Sequence, residues 1–177
     1  MLPQVSLVLG GASSGKSSFA ERMVVSAEIP KVYLATAQAF DTEMRTKITE
    51  HQDDRGPNWT TIEAPFDASA QLDSVATGQV VLLDCATMWL TNQLLANADL
   101  DAEGAKLLAS IRDCASPVVV VSNEIGMGIV PENDLARRFR VVQGRLNVQL
   151  GQLADLAITV IAGLPMTLKG TLPDGLR

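Results

Sequence analysis

Residues Gly10 to Ser17 read Gly-Gly-Ala-Ser-Ser-Gly-Lys-Ser and satisfy the pattern G-x-x-x-x-G-K-[ST] at every fixed position. The run before them, Val5-Ser6-Leu7-Val8-Leu9, is apolar and β-branched enough for a buried strand, and Ser18 to Val25 reads as a helix. Strand, glycine-rich loop and helix, in that order, are the context in which this pattern holds phosphate. Glycines let successive backbone N–H groups curve around a triphosphate, and the helix N-terminus adds partial positive charge. Lys16 reaches the outer phosphates and Ser17 is placed to hold Mg²⁺. The alternative is a Gly/Ser-rich turn without a ligand.

A chain of 177 residues is long enough for one well-buried domain and short for two. With 47% apolar and 19% charged residues, it suits an α/β protein whose sheet is covered on both faces. No apolar run approaches the roughly 18 residues of a membrane span. The first strand begins almost at Met1, so neither a signal nor a transit peptide is expected, and a cytoplasmic location follows. Cys85 and Cys114 are then expected as buried, reduced thiols. A net charge of −6 and a pI near 4.7 argue against sequence-independent nucleic-acid binding and favour a small phosphorylated substrate.

Along the chain, Lys31 to Ala35 reads as a strand, followed by Thr36-Ala37-Gln38 at the carboxyl end, where open α/β sheets place ligands. Asp41 caps a helix expected from Thr42 to about Gln52, and Trp59 to Ile62 is a short strand leading to Glu63. A surface helix is expected over 67–75. Val80 to Leu83 forms a buried strand ending in Asp84, a carboxylate directly after four apolar residues, as in a Walker-B site that binds Mg²⁺ or its water shell. Helices over 87–97 and 101–114 precede a core strand at 118–121. The mixed stretch 122–133 reads as a functional loop.

A long helix from Asp134 to about Gln152 carries Leu135, Phe139, Val142, Leu146, Leu150 and Leu153 at spacings of three and four, a core or subunit-contact stripe. It also bears Arg137, Arg138, Arg140 and Arg145, either a solvated face or an anion-binding or subunit-contact cluster. Residues 156–161 read as the last strand, and the end beyond 169 as a mobile tail. The alternation implies a single α/β domain with a mainly parallel sheet, helices on both faces and the architecture of P-loop proteins.

His51 is the chain's sole histidine. By spacing alone it is a helix-end residue. Beside Arg55 and Glu63 in a triphosphate-binding protein, it is also a candidate nucleophile toward phosphorus.

From about Val5 to Lys169 the sequence resembles the bifunctional adenosylcobinamide kinase/adenosylcobinamide-phosphate guanylyltransferases of cobalamin biosynthesis. The resemblance rests on Gly10-Gly11-Ala12 with Gly15-Lys16-Ser17, on 33–38 and on Asp41 to Arg45. It continues through Ile48, His51, Arg55, Trp59, Thr61 and Glu63, then Leu135-Ala136-Arg137 with Phe139, Arg140, Gly144, Arg145 and Asn147. Its most specific part is Asn-Glu-Ile-Gly-Met-Gly-Ile-Val-Pro-Glu-Asn at 123–133.

The resemblance implies a RecA-like P-loop NTPase fold over residues 1–169, and two reactions. ATP or GTP phosphorylates the aminopropanol hydroxyl of adenosylcobinamide. GTP then supplies GMP through a GMP-histidine, at the position of His51, to give adenosylcobinamide-GDP. Carried over the same way, Gly10, Gly11, Ala12, Ser13, Ser14, Gly15, Lys16, Ser17, Ala35, Thr36, Ala37, Gln52, Asp53, Asp54, Arg55, Glu63 and Asp84 contact nucleotide. Lys16 joins His51 as catalytic, and Ser17 with Asp84 serves Mg²⁺. A homotrimer is implied, with corrinoid and nucleotide as its small-molecule partners. His51 must be neutral to attack, so the rate is expected to fall below the imidazole pKa, about 6.5 for a free histidine.

Ser13 stands where many relatives have arginine, Asp84 where glutamate also occurs, Val141 where aspartate is common and Val148 where a polar residue is common. These put fine substrate contacts in question. The rival readings are a kinase without guanylyl transfer and a non-catalytic nucleotide-dependent interaction protein.

Overall fold

A computed structural model describes residues 2–38 and 58–176. The helix expected from Thr42 to Gln52, together with His51, Gln52, Asp53, Asp54 and Arg55, lies outside the described residues. The described elements are β1 (Val5–Gly10), α1 (Lys16–Val25), β2 (Lys31–Ala35), β3 (Trp59–Glu63), α2 (Ala68–Asp73), β4 (Val80–Asp84), α3 (Ala86–Leu95), α4 (Leu100–Asp113), β5 (Val118–Asn123), α5 (Asp134–Leu153), β6 (Leu156–Ile161) and β7 (Leu164–Lys169).

They build one sheet in the order β3-β2-β4-β5-β1-β6-β7, parallel throughout except for β7, which runs antiparallel to β6. Strands buried on both faces must be apolar at successive positions, and β1, β4 and β5 are. Alternate side chains enter two separate cores. Val8, Leu82, Val119 and Ile158 meet Phe19, Ala20, Met23 and Val24 of α1. Leu7, Leu34, Leu83 and Val120 meet Trp89, Leu90, Leu107, Ile111, Leu146 and Leu150 of α3, α4 and α5. A fully buried leucine such as Leu107 contributes about 2–5 kcal/mol relative to alanine. This is the single α/β domain, mainly parallel and covered by helices on both faces, that the sequence led us to expect.

Helix starts follow local chemistry. Asp99 accepts the Ala102 N–H at 3.1 Å to begin α4, and Asn133 accepts the Ala136 N–H at 3.1 Å to begin α5. Among the described residues no helix is long and apolar enough to cross a membrane. Cys85 and Cys114 are buried free thiols.

Two boundaries differ in ways that matter for the site. Helix α1 begins at Lys16, two residues before the expected start, which puts the lysine in its first turn. Strand β5 continues through Ser122 and Asn123, so the loop after it begins at 124.

A further strand, β7, lies where the sequence reading ended the sheet at β6. The connection is Ala162-Gly163, with φ of 53° and 79°. Positive φ at both central residues is what a tight two-residue hairpin requires, and alanine there gives no glycine- or asparagine-like signal at the first position. Beyond β7, Leu172 and Leu176 fold back onto the α1-side core.

Candidate active site

The phosphate loop is held open by backbone geometry. Gly10 ends β1, and a Cβ there would stand 2.3 Å from Ser14 Oγ and 2.8 Å from the Val160 carbonyl, so no larger residue fits. The Ser14 N–H bonds the Gly11 carbonyl at 3.3 Å, while Ser13 and Gly15 take φ of 56° and 89°. Gly15 caps α1 without any side-chain bond to the first-turn N–H groups. Those donors are therefore left for an anion, aided by the helix dipole. The Lys16 ammonium rests on the Gly11 carbonyl at 3.1 Å, folded over the loop it would serve. On one flank the loop leans on the β6–β7 turn: the Gly163 N–H donates to the Ser14 carbonyl at 2.9 Å.

Asp84 ends β4, opposite Ala35 of β2 and Val121 of β5. The Tyr33 hydroxyl donates to Asp84 Oδ2 at 3.4 Å, and Tyr33 is itself held edge-on against Trp59, with ring centroids 6.2 Å apart. The adjacent Cys85 thiol is pushed up to about 11, first by burial and then by the Asp84 carboxylate, with Lys16 offsetting part of it. Carboxylate and ammonium thus act on one thiol, and β1, α1 and β4 bring Lys16 and Asp84 into one neighbourhood. One hydroxyl from Ser17 and one carboxylate from Asp84 match the needs of Mg²⁺. That ion takes one or two protein oxygens and completes its shell with water and substrate phosphates. Among the described residues no group of three acidic, histidine or cysteine side chains forms a metal cage.

Glu63 lies in register with Ala35, which lies in register with Asp84, so the three form a row across the carboxyl edge of β3, β2 and β4. Thr36, fully buried, bonds Cys85 twice: its hydroxyl donates to the Cys85 carbonyl and accepts the Cys85 N–H, each at 2.7 Å. Asn92 of α3 donates to the Thr36 carbonyl at 2.8 Å and to the Pro65 carbonyl at 2.9 Å. It ties the segment after β2 to the segment after β3. Ala37 follows Thr36 and is half-buried.

The segment after β5 is anchored beside the phosphate loop. Asn123 pairs with Gly10 across the sheet, and the Glu124 N–H donates to the Gly10 carbonyl at 3.0 Å. Beneath it sits a buried polar cluster. Asn147 Oδ1 accepts from Ser122 at 2.6 Å and from Gln143 at 2.9 Å, Asn147 donates to the Asn123 carbonyl at 3.0 Å, and the Asn123 N–H donates to Thr87 at 2.8 Å. The arginines of α5 explain themselves here. Arg140 donates to the carbonyls of Ile129, at 2.9 Å, and Gly126, while Arg137 donates to those of Pro131, at 2.9 Å, and Glu132, and pairs with Asp134. Both guanidiniums donate to carbonyls of the loop that follows β5. Arg138 lies exposed on the same helix, beside Asp99 and Asp101 in a groove of about 490 Å³ that Arg145 also lines.

Of the residues expected to touch nucleotide, Gly10 to Ser17 and Asp84 are brought together. Ala35, Thr36, Ala37 and Glu63 form a second group two to three strands away from β1's neighbour β5. His51 and residues 52–55 are outside the described region. Sequence reasoning gave no role to Tyr33, Asn92, Gln143 or Gly163. Asn92 and Gln143 sit among apolar helix neighbours at fully buried positions, which a polar letter alone does not reveal.

Comparison with known proteins agrees with this geometry. The family described as CobU, cobinamide kinase / cobinamide phosphate guanyltransferase, matches residues 6–168. The chain is 42% identical over 167 residues to the bifunctional adenosylcobalamin biosynthesis protein CobP of Pseudomonas aeruginosa, covering 93% of this chain and 96% of that one. It is 39% identical over 181 residues to the bifunctional adenosylcobalamin biosynthesis protein CobU of Salmonella typhimurium, covering 92% and 98%. In fold it is similar to a solved protein of Pyrococcus horikoshii, with a TM-score of 0.51 at 10% identity over 98% of this chain and 89% of the other. A phosphate loop beside a carboxylate-ended strand, in a chain matched over nearly its whole length, identifies it as a member of the cobinamide kinase / cobinamide phosphate guanyltransferase family.

Proposed function

We propose that this enzyme phosphorylates the aminopropanol hydroxyl of adenosylcobinamide with ATP or GTP and then converts the phosphate to adenosylcobinamide-GDP with GTP. The observation that carries the reading is the phosphate loop with its unpaired first-turn N–H groups and Lys16 folded over it, in a chain of this family. In the first reaction the loop orients the triphosphate and Lys16 offsets charge on the transferring phosphoryl group. The substrate hydroxyl forms the new P–O bond and the nucleoside diphosphate leaves. Mg²⁺, held by Ser17 and Asp84, would supply charge neutralisation at the phosphate oxygens. Tyr33 fixes the orientation of the Asp84 carboxylate for that task.

In the second reaction, neutral His51 attacks the α-phosphorus of GTP, and the bond to the β-phosphate breaks to release pyrophosphate. An oxygen of the cobinamide phosphate then displaces the histidine. Gln52, Asp53, Asp54, Arg55, Glu63 and Ala35 to Ala37 are proposed to hold the nucleotide for this step. A homotrimer in the cytoplasm completes the reading, supported by Leu135, Val141 and Val148 exposed along α5 and by two reduced thiols.

GTP labelled at the α-phosphate should give a covalent adduct that is acid-labile and alkali-stable, as a phosphoramidate must be, and that His51→Ala abolishes. Lys16→Ala should remove phosphoryl transfer to adenosylcobinamide. Active protein that forms no adduct would overturn the histidine route, and the lack of any phosphoryl transfer by the unmodified enzyme would overturn the kinase.

A further inference from the structure

Three large apolar side chains stand exposed on the segment after β5, whose first residue, Glu124, is bonded to Gly10 of the phosphate loop. Met127 is 90% exposed, Ile129 95% and Val130 70%. We propose that residues 126–130 are the platform on which the corrin macrocycle of the acceptor lies while its hydroxyl arm reaches the phosphate loop; this rests on the function proposed above.

Placement carries the inference first. The Glu124 N–H is bonded to the Gly10 carbonyl, and a chain extends at most about 3.6 Å per residue, so the Met127 Cα lies within roughly 11 Å of the Glu124 Cα. On its other flank the phosphate loop is closed by Gly163 against Ser14. An acceptor that must bring a hydroxyl to the outermost phosphate would then approach from the β5 side, where the segment after Glu124 begins.

Rigidity is the second observation. Apolar side chains on a free loop collapse inward to escape water, yet this loop is held outward. Arg140 grips the Gly126 and Ile129 carbonyls, Arg137 grips those of Pro131 and Glu132, and the Glu124 carboxylate takes the Gly126 N–H at 2.5 Å. A recognition surface organised before binding loses less entropy when the ligand arrives.

Chemistry is the third. Residues 126–130 read Gly-Met-Gly-Ile-Val and carry no charge. Among the described residues, the N–H groups of Met127, Gly128, Ile129 and Val130 have no hydrogen-bond partner within the protein. A corrin ring presents methyl groups and neutral amide arms around its rim. Exposed thioether and aliphatic side chains with free backbone donors between them match such a rim.

The test is steady-state kinetics of the full chain with adenosylcobinamide as the varied substrate. The double variant Met127→Ser, Ile129→Ser is expected to raise KM for adenosylcobinamide at least tenfold, while KM for the nucleotide stays within twofold. Arg140→Lys, which loses the forked grip on two carbonyls, is expected to move the same constant in the same direction. Labelling by α-phosphate-labelled GTP needs no corrinoid and is expected to persist in the double variant. An unchanged corrinoid KM in an active double variant overturns the platform alone. A change in sedimentation mass in the double variant also overturns it, because the loop is then a contact between copies of the chain. A wild-type enzyme that transfers nothing to adenosylcobinamide overturns the function on which the platform rests.

Discussion

Gly163 donates its backbone N–H to the Ser14 carbonyl at 2.9 Å, and its Cα lies 3.2 Å from where a Cβ on Gly15 would stand. The Ser14–Gly15 peptide is planar, so a carbonyl aimed at the β6–β7 turn aims the Gly15 N–H the opposite way, toward the open side of the loop. The hairpin turn thus sets the direction of the Gly15 N–H, the donor proposed to face phosphate. Gly15→Ala combines a close approach with a φ of 89°, and it is expected to raise nucleotide KM at least tenfold. It should also cost about 1–3 kcal/mol in urea-monitored stability.

Asp84→Asn keeps the shape and removes the charge at the end of β4. The expected outcome is a fall in kcat of about 100-fold, partly recovered at raised Mg²⁺. Tyr33→Phe, which loses the bond to Asp84 Oδ2, should shift the Mg²⁺ dependence with a smaller loss of rate. Titrating Mg²⁺ at saturating nucleotide checks both.

The Cys85 thiol, raised from 9.0 to about 11 by burial and then by Asp84, keeps its proton in the folded protein at a pH where the unfolded chain has lost it. Its contribution to stability is therefore whole below about pH 9 and is lost as pH rises through about 11. The loss is on the order of 2–3 kcal/mol. Denaturation curves of the native protein and Cys85→Ala, taken from pH 8 upward, should converge across that window. Iodoacetamide should leave Cys85 unmodified at pH 8.

Asn147→Leu removes one partner each from Ser122, Gln143 and the Asn123 carbonyl, while Gln143 keeps its 2.9 Å bond to Ser122 Oγ. A buried group that loses its partner costs about 1–3 kcal/mol, so a loss of that order is expected in urea unfolding. The end of β5 beside Gly10 loses its support, and nucleotide KM should rise with it.

Much of this was legible in the sequence because the strands are buried on both faces and therefore written as apolar runs. β1, β4 and β5 could be read directly, and so could the phosphate loop, whose glycines answer to backbone geometry. Strand β7 was not legible. It is an edge strand with Leu164, Met166 and Leu168 exposed, and its turn begins with alanine at φ 53°, so neither burial nor turn chemistry marked it. Strand order was equally hidden, since pairing is decided between segments far apart in sequence. The partners of Arg137 and Arg140 were hidden for a further reason: they include backbone carbonyls, which leave no trace in side-chain letters.

Strand order has a consequence for the layout of the enzyme. With β5, β4 and β2 lying between β1 and β3, Glu63 stands four strand spacings, about 19 Å, from the strand that feeds the phosphate loop. Asp84, on β4, stands midway along the carboxyl edge between Glu63 and the strand that feeds the phosphate loop. The residues expected to serve the nucleotide are thus spread along that edge and not gathered in one cleft.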